Sequence, residues 1–340
     1  MHDSFAHVGG QLATGLRDLT TDLGALDGAG WWAVVVDYEG KVTCARFDHV
    51  RHAPLPRPAR PWRGPDAGEW RSSLGQAAYE RGVDRIRAYI EQGEVYQANL
   101  CRILTAPLRG DEDPVALAHL LAEGNPAPYA AVIRVPGLTV VSASPELYLS
   151  RDGAVVESRP IKGTAVTADG LLDKDYAENV MIVDLVRNDL GRVAAVGSVQ
   201  VPALCVVEEH PGLVHLVSTV RARLEPGAGW QELFAATFPP GSVTGAPKSA
   251  ALGIINELEP EPRGPYCGAV GWVDADRGTA ALAVGIRTFW ITDGSRSAKE
   301  IRFGTGAGIT WGSDPRGEWL ETELKASRLI ALASRNGGDR

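Results

Sequence analysis

Three segments decide the fold class: AAVIRV (130–135), LTVVSAS (138–144) and GAVVESRPI (153–161). Each is rich in Val, Ile and small residues and is bounded by Gly or Pro, the pattern of strands punctuated by turns. Only Pro136-Gly137 separates the first two. GAVGWV (268–273) and TAALAVGIRTFWI (279–291) repeat the arrangement further along. A parallel pair needs a crossover of about a dozen or more residues, usually a helix, and gaps this short cannot hold one. The spacing favours antiparallel sheets over a doubly wound nucleotide-binding pattern.

Working outward, WWAVVVDYEGKVTCARF (31–47) reads as two strands about a Glu39-Gly40 turn. RHAPLPRPARPWRGPDAG (51–68) follows, dense in Pro and Arg. Proline fixes φ and removes donors, so this stretch is expected to be an extended surface connector. Residues 1–72 are therefore read as a short strand-rich segment with its connector, and residues 73–335 as the main body. In that body Val83, Ile86 and Ile90 recur at helical spacing up to Gly93. From Val95 to Leu104 the pattern alternates, with Tyr96, Ala98 and Leu100 on one face and Gln97 and Asn99 on the other. Three more helices are expected. One covers about 174–190 with Gly191 as its C′ residue, one runs from Pro247 to Glu259-Pro260, and one begins at Pro315 after Asp314.

The 340 residues are 44% hydrophobic, enough for a large core, and carry a net charge of −8. That charge argues against nucleic acid as the main partner, since phosphate binding needs a basic face. A small anionic substrate in a cleft remains compatible. Cysteines at 44, 101, 205 and 267 form no CxxC pair, against structural zinc or a disulfide framework. The N-terminus MHDSFAHVGG lacks a signal-peptide pattern, and no apolar run approaches the roughly 18 residues that span a membrane. A soluble, cytoplasmic protein with reduced thiols is expected.

Several constellations carry chemistry. Glu178 lies one helical turn beyond Asp175, and Glu318, Glu321 and Lys325 are spaced i, i+3, i+7 on one helix face. Two carboxylate pairs without His or Cys suit a hard, oxygen-liganded cation, magnesium rather than zinc. The alternative is two solvated helix faces. The glycine-rich FGTGAGI (303–309) and PPGSVTGAPK (239–248) lack the Gly-Lys-Ser/Thr ending of a phosphate loop and read as tight turns, although the second opens a helix. Arg287 stands among apolar neighbours in VGIRTFW and needs a carboxylate partner, from the protein or from a substrate. Lys162, in Pro160-Ile161-Lys162-Gly163-Thr164, is by composition a lysine in a turn.

From about Glu80 to Leu332 the chain resembles the chorismate-utilising enzymes: the anthranilate, aminodeoxychorismate, isochorismate and salicylate synthases. The resemblance rests on GEVYQANL, SASPELYL, SRPIKGTA, DYAENVMIVDLVRNDLGRV, HPGLVHLVSTV, FPPGSVTGAPKSAA, PYCGAVGW, GIRT, GTGAGI and EWLETELKASRL, in that order. It implies an α/β fold of the α+β kind: two large, mostly antiparallel sheets packed as a sandwich, helices outside and the active site in a cleft. It implies that Glu178 and Glu321 bind Mg2+ directly, with Asp175 and Glu318 reaching it through water. Tyr266 and Arg287 would hold the enolpyruvyl carboxylate. Gly306, Ala307 and Gly308, with Lys325, would line the ring-carboxylate end. Thr164, His215 and Thr244 would lie near the ring. Glu146 would be the general acid/base at the C4 hydroxyl, so burial should raise its pKa.

Two positions separate the branches. Members that add water resemble this chain but carry lysine where Gln97 stands, and an amide cannot take a proton at neutral pH. Anthranilate synthases read Pro-Ile-Ala-Gly-Thr where this chain reads Pro-Ile-Lys-Gly-Thr, the aminodeoxychorismate form. In that branch the lysine attacks C2 of the ring, expels the C4 hydroxyl, and is displaced by ammonia at C4. Lys162 must be neutral to attack, so a desolvated or cation-flanked site is expected around it. No glutaminase-like Cys-His-Glu set is visible, which implies a glutamine amidotransferase partner or free ammonia. The abbreviated N-terminus implies no tryptophan regulation, a point that calorimetry with tryptophan tests. Rival expectations are anthranilate synthesis and a non-catalytic chorismate-binding subunit.

Overall fold

The computed structural model describes residues 4–110, 112–210, 213–293 and 299–334. Pro211 and Gly212 of HPGLVHLVSTV, and residue 335 at the end of the main body, lie outside the described residues. The strands are β1 (Phe5–Val8), β2 (Gln11–Thr20), β3 (Trp31–Val36), β4 (Val42–His52), β5 (Arg71–Ser72), β6 (Gln97–Leu108), β7 (Tyr129–Val135), β8 (Leu138–Ser144) and β9 (Leu147–Asp152). They continue as β10 (Val155–Arg159), β11 (Ile161–Ala165), β12 (Gln200–His210), β13 (Leu213–Arg223), β14 (Gly245–Ala246), β15 (Ala269–Asp274), β16 (Thr279–Val284), β17 (Thr288–Asp293) and β18 (Lys299–Ile309). The helices are α1 (Gln76–Glu91), α2 (Pro114–Gly124), α3 (Asp173–Gly191), α4 (Trp230–Thr237), α5 (Lys248–Leu258) and α6 (Pro315–Ala333).

Every described strand pairing is antiparallel, and the strands form one continuous ladder. One half runs β12, β13, β10, β9, β16, β15, β3, β4, β2, with β11 also on β13. The other runs β1, β7, β8, β17, β18, β6, with β5 and β14 on β6. The halves are the two sheets of the sandwich, and hydrogen bonding never breaks between them. β2 is long enough to pair with β4 along its length while its first four residues also pair with β1. Strands from residues 1–72 therefore sit edge to edge with the body: β1 on β7, and β3 on β15.

The main core lies between the halves and brings Trp31, Val34 and Leu282 together with Ile133, Val140 and Trp290. Helices α2 and α6 cover a second cluster around Leu117, Phe289, Phe303 and Leu329. Helices α1 and α5 cover a third around Tyr79, Ile86, Leu100 and Ile254. Burial of apolar side chains on this scale is the dominant stabilising term. The Pro/Arg-rich connector is pinned rather than merely extended. Trp62 is buried in the second cluster and its indole N–H donates to the Ala333 carbonyl (2.7 Å), closing over α6.

Three sequence expectations need correction. Gly191 is the last residue of α3 and not a left-handed C′ residue; Arg192 caps the helix through bonds to Asp189 and Leu190. FGTGAGI is not a turn. It is the end of β18, paired residue by residue with β6. The expected two-faced strand from Val95 starts at Gln97, and Tyr96 before it is exposed, whereas both faces from Gln97 to Ile103 are buried. Among the described residues no helix is long and apolar enough to cross a membrane.

Candidate active site

The floor of the candidate site is the β6–β18 pair. Gly304, Gly306 and Gly308 lie on one face of β18, two residues apart, and each omits a side chain for a reason. A Cβ at Gly304 would run into the Tyr266 ring, at Gly306 into Cys101, and at Gly308 into Gln97. Glycine thus lets Tyr266 and Gln97 lie flat against the strand. Ala307, on the opposite face, is buried with Leu100 in the third cluster. Gln97 and Asn99 are buried, and Gln97 Nε2 and Oε1 and Asn99 Oδ1 find no hydrogen-bond partner among the described residues. The Tyr266 hydroxyl is buried beside Cys101 and Cys267, and burial pushes its pKa well above the usual range.

Lys162 is placed by two local devices. Gly163 takes φ +82°, and a Cβ there would press on Asp175 and Leu171, so the chain passes α3 closely only with glycine. The Ile161 amide donates to the Glu146 carboxyl, which also takes a hydrogen bond from Ser242. Burial raises Glu146 to about 7; those two bonds and the Lys162 charge oppose the rise without cancelling it. Glu146 is therefore about half protonated at pH 7, a balance suited to a general acid or base. Lys162 is desolvated, its side chain 13% exposed. It pairs with Glu178, Nζ to Oε2 3.8 Å, and its charge also acts on Glu146.

The acidic residues approach from α3 and α6. Glu178 is raised by burial, opposed by Lys162, and raised further by Asp175 and Glu321. The charges of the two helices therefore meet across one cleft. Glu318 is raised by burial and accepts from the Ser313 hydroxyl (2.6 Å). Burial pushes Glu321 up, but Lys325, with Lys174 and Lys162 behind it, outweighs burial and leaves Glu321 below the usual carboxylate range. Lys325 binds Glu321 at 2.6 Å and donates to the Gly306 carbonyl at 3.1 Å, bridging α6 to the glycine face. Asp175 accepts from the Leu172 amide (2.8 Å) and so also caps the first turn of α3.

Around this centre Thr164 and His215 face each other across β11 and β13, Oγ1 to Nδ1 2.8 Å. Thr244 is buried, and its hydroxyl is used internally by the Pro240 and Gly241 carbonyls (3.2 Å each). Arg287 holds φ +52° at the start of β17; burial alone lowers its pKa, with no acid of the described residues offsetting it. A half-buried guanidinium without a carboxylate is a ready receptor for a substrate carboxylate.

Residues 34–331 match the profile of the chorismate binding enzymes. The chain belongs to that family. It is 41% identical over 277 residues to an anthranilate synthase component 1 of Haloarcula marismortui, covering 78% of this chain and 55% of that protein. It is 36% identical over 316 residues to the aminodeoxychorismate synthase component 1 of Salmonella typhimurium, covering 88% and 68%. With the Escherichia coli protein of that name the figures are 38% over 274 residues, 77% and 59%. The chain thus matches between about half and two thirds of these relatives' length. Among solved structures, anthranilate synthase component I from Streptococcus pneumoniae superposes with TM-score 0.78 at 24% identity, covering 97% of this chain and 90% of that one. The menaquinone-specific isochorismate synthase of Escherichia coli gives 0.79 at 17%, covering 98% and 88%. At these identities the structures establish the fold.

Beside the candidate residues stand polar groups that the sequence did not single out. Ser242 ties Glu146 to the PPGSVTGAPK segment, and Lys174 adds charge beside Glu178 and Glu321. Neither has a spacing signature: one is a serine in a turn and the other a lysine at a helix start. Whether the acids suit magnesium is a question of donor type. Among the described residues no three Asp, Glu, His or Cys groups are gathered at metal-binding distance. Glu178 and Glu321 are each held by a lysine ammonium, so positive charge already stands beside both. Carboxylate oxygens presented from two helices are the donors magnesium takes, and the set fits that ion in kind.

Proposed function

We propose that this enzyme aminates chorismate at C4, giving 4-amino-4-deoxychorismate on the route to p-aminobenzoate and folate. The observation that carries the reading is Lys162, desolvated between Glu146 and Glu178 in a member of this family. Its amine attacks C2 of the ring while Glu146 gives its proton to the departing C4 hydroxyl. One C–N bond forms, one C–O bond breaks, two conjugated double bonds shift and water leaves. The neighbouring carboxylates offer acceptors for the proton that Lys162 must shed. Ammonia then bonds to C4, the double bonds return, and Lys162 departs from C2 with its electron pair. The enolpyruvyl ether is never broken.

Arg287 supports this reading as the receptor of a substrate carboxylate, and Lys325 with the Gly306–Gly308 face as the opposite end of the pocket. Tyr266, Thr164, His215 and Thr244 shape the walls. Glu178 and Glu321, with Asp175 and Glu318 behind them, would hold Mg2+, which when bound neutralises the ring carboxylate and polarises the leaving group. The relatives' designation as component 1 supports a separate amidotransferase that supplies ammonia from glutamine.

Anthranilate synthesis is the second reading, favoured by the 41% identity to an enzyme of that name. Incubation with chorismate, Mg2+ and ammonium chloride, followed by mass spectrometry of the product, decides between them. Release of 4-amino-4-deoxychorismate, and of p-aminobenzoate once a lyase is added, supports the proposal. Anthranilate as the main product would overturn it.

A further inference from the structure

Buried polar groups in folded proteins are nearly always paired, and leaving one unpaired costs about 1–3 kcal/mol. Among the described residues, two side chains on the same face of β6 leave three polar atoms unpaired: Gln97 Nε2, Gln97 Oε1 and Asn99 Oδ1. Gln97 is 0% exposed and Asn99 8%. Both side chains border Gly308, where a Cβ would strike Gln97 Nε2 and stand 3.3 Å from Asn99 Oδ1. The rest of Asn99 is fully used. Its N–H donates to the Thr244 carbonyl (2.7 Å), its Nδ2 to the Ser242 carbonyl (3.4 Å), and its carbonyl accepts from Arg263 (3.2 Å). Those bonds hold the side chain in place and leave Oδ1 free.

We propose that Asn99, with Gln97, forms the seat of the attacking ammonia and that Asn99 Oδ1 orients its lone pair toward the ring. The inference rests on the amination proposed above. Two carbonyl acceptors and one amide donor, all uncharged, match a neutral molecule with several N–H groups. Ammonia donates to Gln97 Oε1 and Asn99 Oδ1 and keeps its lone pair for carbon, while Gln97 Nε2 serves a substrate oxygen. Ammonium has no lone pair, and its charge would be buried without a carboxylate. Water must lose a proton to a base as it attacks, and neither amide can take one. Ser242, whose carbonyl holds Asn99 and whose side chain bonds Glu146, joins the seat to the group acting at C4. In the step itself the N–C4 bond forms and the C2–N bond to Lys162 breaks. One proton passes from the incoming nitrogen to the departing one.

The test is steady-state kinetics of Asn99→Val and Asn99→Ser with ammonium chloride as nitrogen source, folding being checked by thermal melting. For Asn99→Val the KM for ammonia should rise about tenfold or more, the loss of one hydrogen bond. Asn99→Ser, which keeps a shorter acceptor, should rise less. In both, the KM for chorismate and the amount of Lys162 adduct formed without ammonia should stay within about twofold. In the parent, the KM expressed as free NH3 should be constant from about pH 7 to 9. An unchanged ammonia KM in both variants, or a chorismate KM rising in step, overturns the seat. A parent that forms no adduct on Lys162 and releases anthranilate overturns the proposed function instead, and leaves the ammonia KM as the separate measure of the seat.

Discussion

Helix α3 carries two lysine–carboxylate pairs, one near each end, and they are built differently. Near its C-terminus Asp189 meets Lys248 at 2.6 Å, and the same ammonium donates to the Thr237 carbonyl at 2.9 Å. These side chains are 7% and 16% exposed. Burial raises Asp189 and lowers Lys248, each opposed by the other's charge. Near its N-terminus Glu178 and Lys162 stand 3.8 Å apart, and among the described residues no second bond to the ammonium is seen. The first pair is closed and joins α3 to α5 and α4. The second is open, and its lysine faces the cleft. A lysine locked by two short bonds holds the fold together. One paired only at 3.8 Å is less tightly held, as the proposed covalent step requires.

Perturbing the open pair should have the largest effect. Lys162→Ala should lower C4 amination by about 10³-fold or more while changing the melting temperature little, since a single ion pair at 3.8 Å contributes weakly. Amination at the parental rate would remove lysine from the mechanism. The closed pair should respond in the opposite sense. Lys248→Met should cost about 3 kcal/mol in urea unfolding, because Asp189 is left buried and unpaired, with the KM for chorismate near parental. A loss under about 1 kcal/mol would erase the distinction between the pairs.

Glu146 lies between the two pairs, lining with Asp189 a cavity of about 20 Å3, room for one water. Its folded pKa of about 7 stands above the ordinary 4.5. The stability it contributes is therefore complete below about pH 4.5 and is lost as pH rises through 7. Glu146→Gln should remove that slope, so the variant gains on the parent by about 3 kcal/mol between pH 4.5 and 8, while kcat falls about 10²-fold. A parallel pH-stability curve would mean that Glu146 is already ionised. The smallest effect is expected at Arg187, also on α3 and paired with Asp184 at 2.7 Å but more than half exposed. Arg187→Ala should change stability by no more than about 0.5 kcal/mol. A larger loss would show that exposure does not separate weak pairs from strong ones here.

Local patterns made much of this molecule readable. The short gaps between AAVIRV, LTVVSAS and GAVVESRPI left no room for crossovers, and β7, β8 and β10 run antiparallel to their neighbours. Pro315 after Asp314 marked the start of α6, where Asp314 accepts from the Gly317 amide. Gly191 misled because a glycine near a helix end has no obligation to be left-handed. The glycines of β18 misled because their reason is Tyr266, Cys101 and Gln97 lying across the strand, contacts distant in sequence. Arg263 left no trace in any motif. It is buried, bound to Glu259 and the Val243 carbonyl and stacked 4.2 Å over Tyr38, and it belongs to the frame of the site.

Residue order alone established the family, the antiparallel architecture and the candidate residues on each segment, because periodicity and motif are properties of neighbours along the chain. Folding decided which candidates share an environment. Lys162 reaches Glu178 because Gly163 lets β11 pass close to α3. Glu146 rises to about 7 because the surrounding core excludes water from it, against the hydrogen bonds from Ser242 and Ile161 and the Lys162 charge. Asn99 becomes notable only when its free oxygen is seen beside Gln97. Charge state and unmet hydrogen bonds depend on what surrounds a group in space, and no spacing along the chain encodes them.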